Sequence, residues 1–230
     1  MQCPRCHSSN LRKNGHQSSK QRYQCKDCRR QFVEFYSPQG YSDAVKRQCL
    51  DAYVNKMGFR AIERHHGVDH TTVMRWVKQV GQQLPQAPPM ESTPEVAQLD
   101  ELQTFVGSKK NKVWLWTATD KARAGIWAWT LGDRSAQTFR VLWAQVQFWQ
   151  CFWDVTDGWP VYPKFIDVAD HGVSKPHMTR VEGENSRLRH YLARLNRRTF
   201  CYSKSIEMLG YSITSVRRFR RSLGAELPIL

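Results

Sequence analysis

Asp100, Asp157, Glu182 and Glu184 are carboxylates in a chain with a formal net charge of +15. The two glutamates open its most basic stretch, Thr179–Lys204, TRVEGENSRLRHYLARLNRRTFCYSK, which holds six arginines and one lysine. Such a density of cations suits phosphate. A carboxylate there repels the same phosphate unless a metal cation sits between them. Converging carboxylates can hold two divalent metals about 3.5–4 Å apart, and these stabilise the attacking and leaving oxygens of phosphodiester displacement. The carboxylates therefore point first to metal-dependent chemistry on nucleic acid.

A second metal chemistry is written at the amino terminus. Cys3-Pro-Arg-Cys6 and Cys25-Lys-Asp-Cys28 are two CxxC pairs with 18 residues between them. Each pair puts two thiolates on one tight turn, and two such turns complete a tetrahedral zinc site. The residues between, HSSNLRKNGHQSSKQRYQ, read as a β-hairpin turning near Asn14-Gly15. Residues 1–36 are thus expected to form a zinc ribbon, too small to bury an adequate core without its metal. Arg12, Lys13, Lys20, Arg22, Lys26, Arg29 and Arg30 give it a basic surface suited to phosphate.

At 230 residues, 40 % hydrophobic and 12 % aromatic, the chain can hold one ordinary domain plus small modules. Its charge and a pI near 9.8 suit a polyanionic partner. No apolar run approaches the roughly 20 residues of a membrane span, and MQCPRCHSSN lacks the apolar core of a signal peptide. A cytoplasmic location, in contact with the nucleoid and not with membrane, is the expectation. There seven cysteines serve as ligands or thiols and not as disulfides.

The elements that position these groups follow from local pattern. Ser42 and Asp43 start a helix running to about Lys56, with Val45, Cys49, Ala52 and Tyr53 on one face. Phe59–His65 forms a second helix, Gly67 a turn, and Thr71–Val80 a third, with Ile62, Val68, Val73 and Trp76 pointing inward. Residues 41–81 fit a helix-turn-helix. Its last helix is expected to enter the major groove, with His70, Thr71, Thr72 and Arg75 at base edges and Lys78 near the backbone. Residues 82–96, with four prolines between Gln82 and Glu95, read as a semi-rigid linker separating this half from the next.

Residues 97–225 read as an α/β domain. A first strand carries Asp100 early. Lys112–Thr119 and Ala124–Leu131 are strands by alternation and composition, their tryptophans belonging to the core. A helix follows over Ala136–Trp149, then a strand over Cys151–Thr156, a loop to about Met178, and a long basic helix. Three hairpin strands, a helix, a strand and a helix is the element order of the ribonuclease H-like mixed-sheet fold. Alternation puts Asp157 on one face of its strand with Val155, and Asp154 on the other, so Asp157, at the strand's open end, is the better ligand. On the last helix Glu182 shares a polar face with Asn185 and Arg189. Glu184 shares an apolar one with Leu188, Tyr191 and Leu195. Helix geometry leaves either glutamate open as the third ligand.

The motifs CPRC, QRYQCKDC, LDEL, GDRSAQTF, VTDGWPVYP and the whole of TRVEGENSRLRHYLARLNRRTFCYSKS resemble those of transposases of the bacterial insertion-sequence-one family, over nearly the entire chain. The resemblance implies a DDE-type enzyme in its full-length fused form. Its catalytic set would be Asp100, Asp157 and Glu182, with 24 residues between the last two and Glu184 as second choice. These would hold two Mg²⁺ ions, Mn²⁺ being able to substitute. Arg187, Arg189, Arg194, Arg197, Arg198 and Lys204 would hold backbone phosphate. The implied partners are the element's terminal inverted repeats and a target duplex, handled by a homodimer or larger assembly. The implied chemistry is cleavage at the element's end followed by strand transfer. Two rivals fit parts of the pattern: a DNA-binding regulator without catalysis, and a ribonuclease H-like nuclease acting on DNA junctions.

Overall fold

The computed structural model describes residues 1–36, 40–85, 92–196 and 198–221. These form two compact units, residues 1–41 and 42–230. In the first, β1 (Leu11–Gln17), β2 (Lys20–Cys25) and β3 (Gln31–Val33) make a three-stranded antiparallel sheet. Its small core is Cys3, Cys25 and Phe32, with Leu11, Tyr23 and Cys28 packed on it. The hairpin does not turn at Asn14-Gly15. It turns at Ser18-Ser19, with φ of 48° and 64°, closed by the pair Gln17 and Lys20. Two successive positive φ values are what a tight two-residue hairpin needs. Gly15, at φ 72°, instead takes up the register shift between Lys13 and His16, a bulge position that suits glycine.

In the second unit, α1 (Asp43–Val54) is capped by Ser42, whose hydroxyl accepts from Val45 N. Helix α2 (Phe59–His66) ends at Gly67 in the left-handed region, and α3 (His70–Gln83) is capped by Asp69. The inward residues are Ile62, Val68, Val73 and Trp76, as the spacing predicts, joined by Cys49, Tyr53, Val77 and Val80. Their core does not close on itself. It continues into Leu209, Ile213 and Val216 of α6 (Ile206–Arg221) and into Leu188, Leu192 and Leu195. The expected separation of residues 41–81 from the rest by a linker is thus corrected. Residues 86–91 of that linker lie outside the described residues, but the helices before it share one core with the chain's last helix.

The contact between α3 and α6 is close because Gly81 has no side chain. A Cβ there would stand 2.5 Å from Tyr211 Cβ and 2.8 Å from Tyr211 Cα, and a backbone atom cannot step aside. Gly81→Ala is expected to destabilise the fold by about 1–3 kcal/mol through overpacking, read as a lower thermal midpoint. Gly183, where a Cβ meets nothing within 4 Å, is the control. Gly183→Ala should raise the midpoint slightly, by up to about 1 kcal/mol of helix propensity.

The sheet runs β6-β5-β4-β7-β8. Strands β4 (Val96–Phe105), β5 (Lys112–Asp120) and β6 (Ile126–Gly132) are antiparallel neighbours. Strand β7 (Trp153–Thr156) pairs parallel with β4, and β8 (His171–Val173) parallel with β7. This mixed sheet is compatible with a ribonuclease H-like arrangement. Helix α4 (Ala136–Val146), capped by Ser135, covers one face over Leu99, Trp116, Ala118 and Tyr162. Helix α5 (Thr179–Tyr191) lies on the other.

Three expectations are revised. The loop before Met178 contains β8, whose three residues are too few to show alternation. The basic helix stops at Tyr191 and gives way to a 3-10 turn at Ala193–Leu195. Helix α6 follows it. No helix among the described residues is long and apolar enough to cross a membrane.

Candidate active site and metal centres

The four amino-terminal cysteines converge, their sulfurs all within 4.8 Å of one another. Cys3 and Cys28 sulfurs are 3.5 Å apart and Cys6 and Cys25 sulfurs 3.6 Å. Those spacings are too long for a disulfide. They approach the edge of about 3.8 Å that a tetrahedron has when its centre lies about 2.3 Å from each sulfur. Burial pushes the Cys3 thiol up, but N–H groups of Cys6 and Arg5, together with the neighbouring thiols, outweigh it and hold it at about 6. At Cys6 the Ser8 N–H favours the thiolate, but the neighbouring thiols outweigh it and push the group the other way, up to about 12, as expected where several thiols share protons. The preformed cluster of four sulfurs fits a zinc ribbon.

The acidic site forms where β7 ends. Gln98 pairs with Val155 across the parallel β4–β7 ladder. Two residues further along the same register, Asp157 comes beside Asp100. The chain then turns through Gly158 at φ 84°, and Trp159 N donates to Asp157 Oδ1 at 3.0 Å. Carboxylate oxygens of Asp100, Glu101 and Asp157 all lie within 4.8 Å of one another. Such a cluster could hold a divalent cation.

Asp100 faces α5. Asn185 Nδ2 donates to its Oδ2 at 2.8 Å, and the Asn185 carbonyl oxygen accepts from Thr117 Oγ1 at 3.1 Å. Burial raises the Asp100 carboxyl to about 6, with Glu101 and Asp157 adding to the rise and the Asn185 bond opposing it. Proton and metal therefore compete for this group. A folded pKa above the ordinary value of 3.8 means that the metal-free fold loses stability as pH climbs from about 4 through about 6. Cation binding, which needs the carboxylate, strengthens over the same window. Calorimetric Mn²⁺ affinity is expected to rise roughly ten-fold per unit between pH 5 and 6 and to level off above about pH 7. Asp100→Asn should flatten that slope.

Glu101 was not singled out by sequence. Strand alternation sends it to the α4 face, yet its carboxylate comes within 4.8 Å of those of Asp100 and Asp157. Its side chain is 1 % exposed and paired with the Arg134 guanidinium. Arg134 Nε donates to Oε1 at 2.8 Å and the Tyr162 hydroxyl to Oε2 at 2.7 Å. Arg134 in turn stacks over Trp159 at 3.5 Å and Trp114 at 4.6 Å. Its adjacency to Asp100 in LDEL was the available signal. Asp154 lies apart from the acidic group. It is buried, one oxygen has no hydrogen-bond partner, and burial followed by the Asp170 charge raises it to about 7.

The two glutamates of α5 have different surroundings. Gln98 Oε1 accepts from the N–H groups of Arg180 and Val181, both at 3.0 Å, and so fixes the helix start on β4. Glu182 is exposed, and with Asn185, Ser186 and Arg189 it lines a groove of about 680 Å³ that also takes in Asp100 and Glu101. It stands on the groove wall, outside the close trio. Glu184 is buried, accepting from Gly125 N at 3.1 Å and Arg187 Nη1 at 2.6 Å. It clamps α5 to the β5–β6 turn.

The basic residues divide similarly. Arg198 and Lys204 are exposed. Arg187 is half-exposed and engages Glu184. Arg189 donates to the carbonyls of Leu195 and Gln103, each at 3.0 Å. Arg194 corrects the expectation of a phosphate contact. It is buried, donates to Ser203 Oγ at 3.0 Å, and stacks over Phe59 and Tyr53 at 5.1 and 5.4 Å. Arg197 lies outside the described residues. On α3, Thr71 and Arg75 are exposed and Thr72 partly so. His70 Nδ1 is 3.1 Å from the Glu63 carboxylate. Lys78 is exposed and lies 3.4 Å from Glu207 of α6 and over the Tyr211 ring.

Comparison with known proteins bears on this constellation. Residues 95–218, which include Asp100, Asp157 and Glu182, match the family described as IS1 transposase. The insertion element IS1 protein InsB of Shigella flexneri is 35 % identical over 112 residues, 49 % of this chain and 86 % of that protein. The InsB protein of Shigella sonnei matches with the same identity and coverage. The IS1 9 InsB protein of Escherichia coli K12 is 34 % identical over 112 residues, covering 49 % of this chain and 67 % of its own length.

Proposed function

We propose, since this chain belongs to the IS1 transposase family, that it cuts DNA at the ends of its element and joins them to a target, with Asp100, Asp157 and Glu182 as its metal-holding residues. The observation that carries this reading is the acidic trio of Asp100, Glu101 and Asp157, two of whose members, Asp100 and Glu101, line the same groove as Glu182. Such an arrangement inside so basic a chain has no use in a protein that only binds.

The donor set is all carboxylate, which suits hard divalent cations such as Mg²⁺, with Mn²⁺ as a substitute. Two such cations would lower the pKa of a water and stabilise the attacking and leaving oxygens of an in-line displacement. Asn185 orients Asp100 through its amide. Arg134 and Tyr162 hold Glu101 in place behind the site, so that it adds negative potential without moving. Gln98 pins the first turn of α5 and with it Glu182. Arg189, Arg198 and Lys204 offer positive charge along and beyond the groove, and the scissile strand would lie against it.

Recognition of the terminal repeats is assigned to the amino-terminal elements. The zinc ribbon supplies backbone contacts from its basic surface. Helix α3 would enter the major groove with Thr71, Thr72 and Arg75 at base edges, while His70 is held by Glu63 at the helix start. Two element ends must be held together, so a dimer or larger assembly on DNA is part of the proposal.

Offering the chain equal concentrations of terminal-repeat duplex and four-way junction in Mg²⁺ tests the reading. Cleavage is expected at the repeat end, leaving a 3′-hydroxyl. Preferential cutting of the junction would instead make it a ribonuclease H-like resolving nuclease.

A further inference from the structure

Among the described residues, Phe200 is the most exposed of the large hydrophobic side chains, at 102 %. A single exposed apolar residue is ordinary. The setting of this one is not. It sits at the apex of a turn closed by Cys201 N donating to Thr199 Oγ1 at 2.9 Å. The loop that carries it, between the 3-10 turn at Ala193–Leu195 and α6, is fastened firmly. Ser203 bridges to Val106, and its carbonyl accepts from Gly107 N at 2.8 Å. Its hydroxyl accepts from buried Arg194 at 3.0 Å, and Tyr202 packs on Phe105 with centroids 5.3 Å apart. A loop held at both Tyr202 and Ser203 could have folded its one phenyl ring inward, and it presents that ring to solvent.

Charge and position indicate what meets it. Arg198 and Lys204, two residues before and four after Phe200 in the chain, are exposed. Phe105, on which Tyr202 packs, and Asn196, just before the loop, line the same groove as Asp100 and Glu182, together with Lys109. A duplex laid in that groove would pass Asp100 and Glu182 and reach Phe105 and Asn196 beside the Phe200 loop. The cationic rim repels a second copy of the same surface and attracts a polyanion. Apolar side chains presented in this way to duplex DNA insert between base steps or stack on an unpaired base.

We propose that Phe200 is a wedge that enters the DNA next to the cleavage point and stacks on a base it has displaced, so that the strand can bend into the acidic site. The proposal rests on the transposase reading for its substrate, but the displaced base can be detected without any cleavage. The experiment places 2-aminopurine, in turn, at each of the last few base pairs of the element end and on either side of the cut. It uses full-length Asp157→Ala protein with and without Phe200→Ala or Phe200→Trp.

One position is expected to brighten several-fold with Phe200 or Trp and to stay quenched with Ala. With Asp157 intact, Phe200→Ala alone should slow cleavage of paired DNA by on the order of ten- to a hundred-fold, the scale of a lost base–aromatic stack. An abasic site at the brightened position should restore most of that loss. Phe200→Ala protein that brightens the same position, or cuts paired DNA at the wild-type rate, overturns the wedge. So does a variant whose only change is loss of a DNA-free dimer, which would make Phe200 a contact between copies. A wild-type chain that brightens the base but cuts no end would leave the wedge standing and refute the transposase reading.

Discussion

Glu182→Ala is expected to abolish cleavage of element-end DNA, while Glu184→Ala is expected to weaken the fold and leave a measurable rate. The two residues stand two positions apart on one helix, but their surroundings differ. Glu182 is exposed on the groove wall that includes Asp100. Removing a group that holds a catalytic cation forfeits several kcal/mol of transition-state stabilisation, roughly a thousand-fold in rate at 1.36 kcal/mol per decade. It should leave the thermal midpoint nearly unchanged, since the exposed side chain makes no hydrogen bond among the described residues. Glu184 carries the Gly125 N–H and the Arg187 guanidinium. Its removal leaves a partly buried donor unpaired, at a cost of about 1–3 kcal/mol. Single-turnover cleavage and thermal unfolding, measured on both variants, separate the roles. Full cleavage by Glu182→Ala together with none by folded Glu184→Ala would exchange them.

The second large effect concerns the sulfur cluster. Stripping its metal, or making Cys25→Ser, is expected to unfold residues 1–41 and leave the second unit folded. The first unit's core amounts to Cys3, Cys25 and Phe32 with three partly buried neighbours, too little to hold a sheet alone. Structural zinc contributes about 10–16 kcal/mol to modules of this kind at neutral pH. A chelator should therefore expose sites within residues 1–41 to protease while Ser42 onward stays resistant. Duplex affinity should fall and its salt dependence flatten as the basic ribbon is lost. Protection of the first unit in the presence of chelator would show that the cysteines fold it without metal.

Much of the site was legible because strands and helices impose simple periods. Alternation separated Asp157 from Asp154, and the structure explains the preference: Asp154 is buried with an unpartnered oxygen on the other face. Helical spacing set Glu182 with Asn185 and Arg189, and these three do share the groove. Cysteine spacing alone indicated the four-sulfur cluster. What escaped depended on contacts between residues far apart in the chain. The packing of α3 on α6 turns on Gly81 and Tyr211, a pair no local pattern connects. That contact also turned Lys78 toward Glu207. Arg194 read as one more cation of a basic segment, yet the helix ended before it at Tyr191 and the chain folded it against Tyr53 and Phe59. Glu101 escaped because its Arg134 and Tyr162 partners lie 33 and 61 residues further on.

The most direct measurement is single-turnover cleavage of end-labelled terminal-repeat DNA by the full chain in Mg²⁺, beside Asp157→Ala protein shown to be folded and to bind the same DNA. The account predicts a nicked product with a 3′-hydroxyl from the wild type, loss of that product on adding a chelator that outcompetes Mg²⁺, and binding without cleavage by Asp157→Ala. Wild-type protein that binds the repeat but never cuts it, or Asp157→Ala protein that cuts at the wild-type rate, would contradict it.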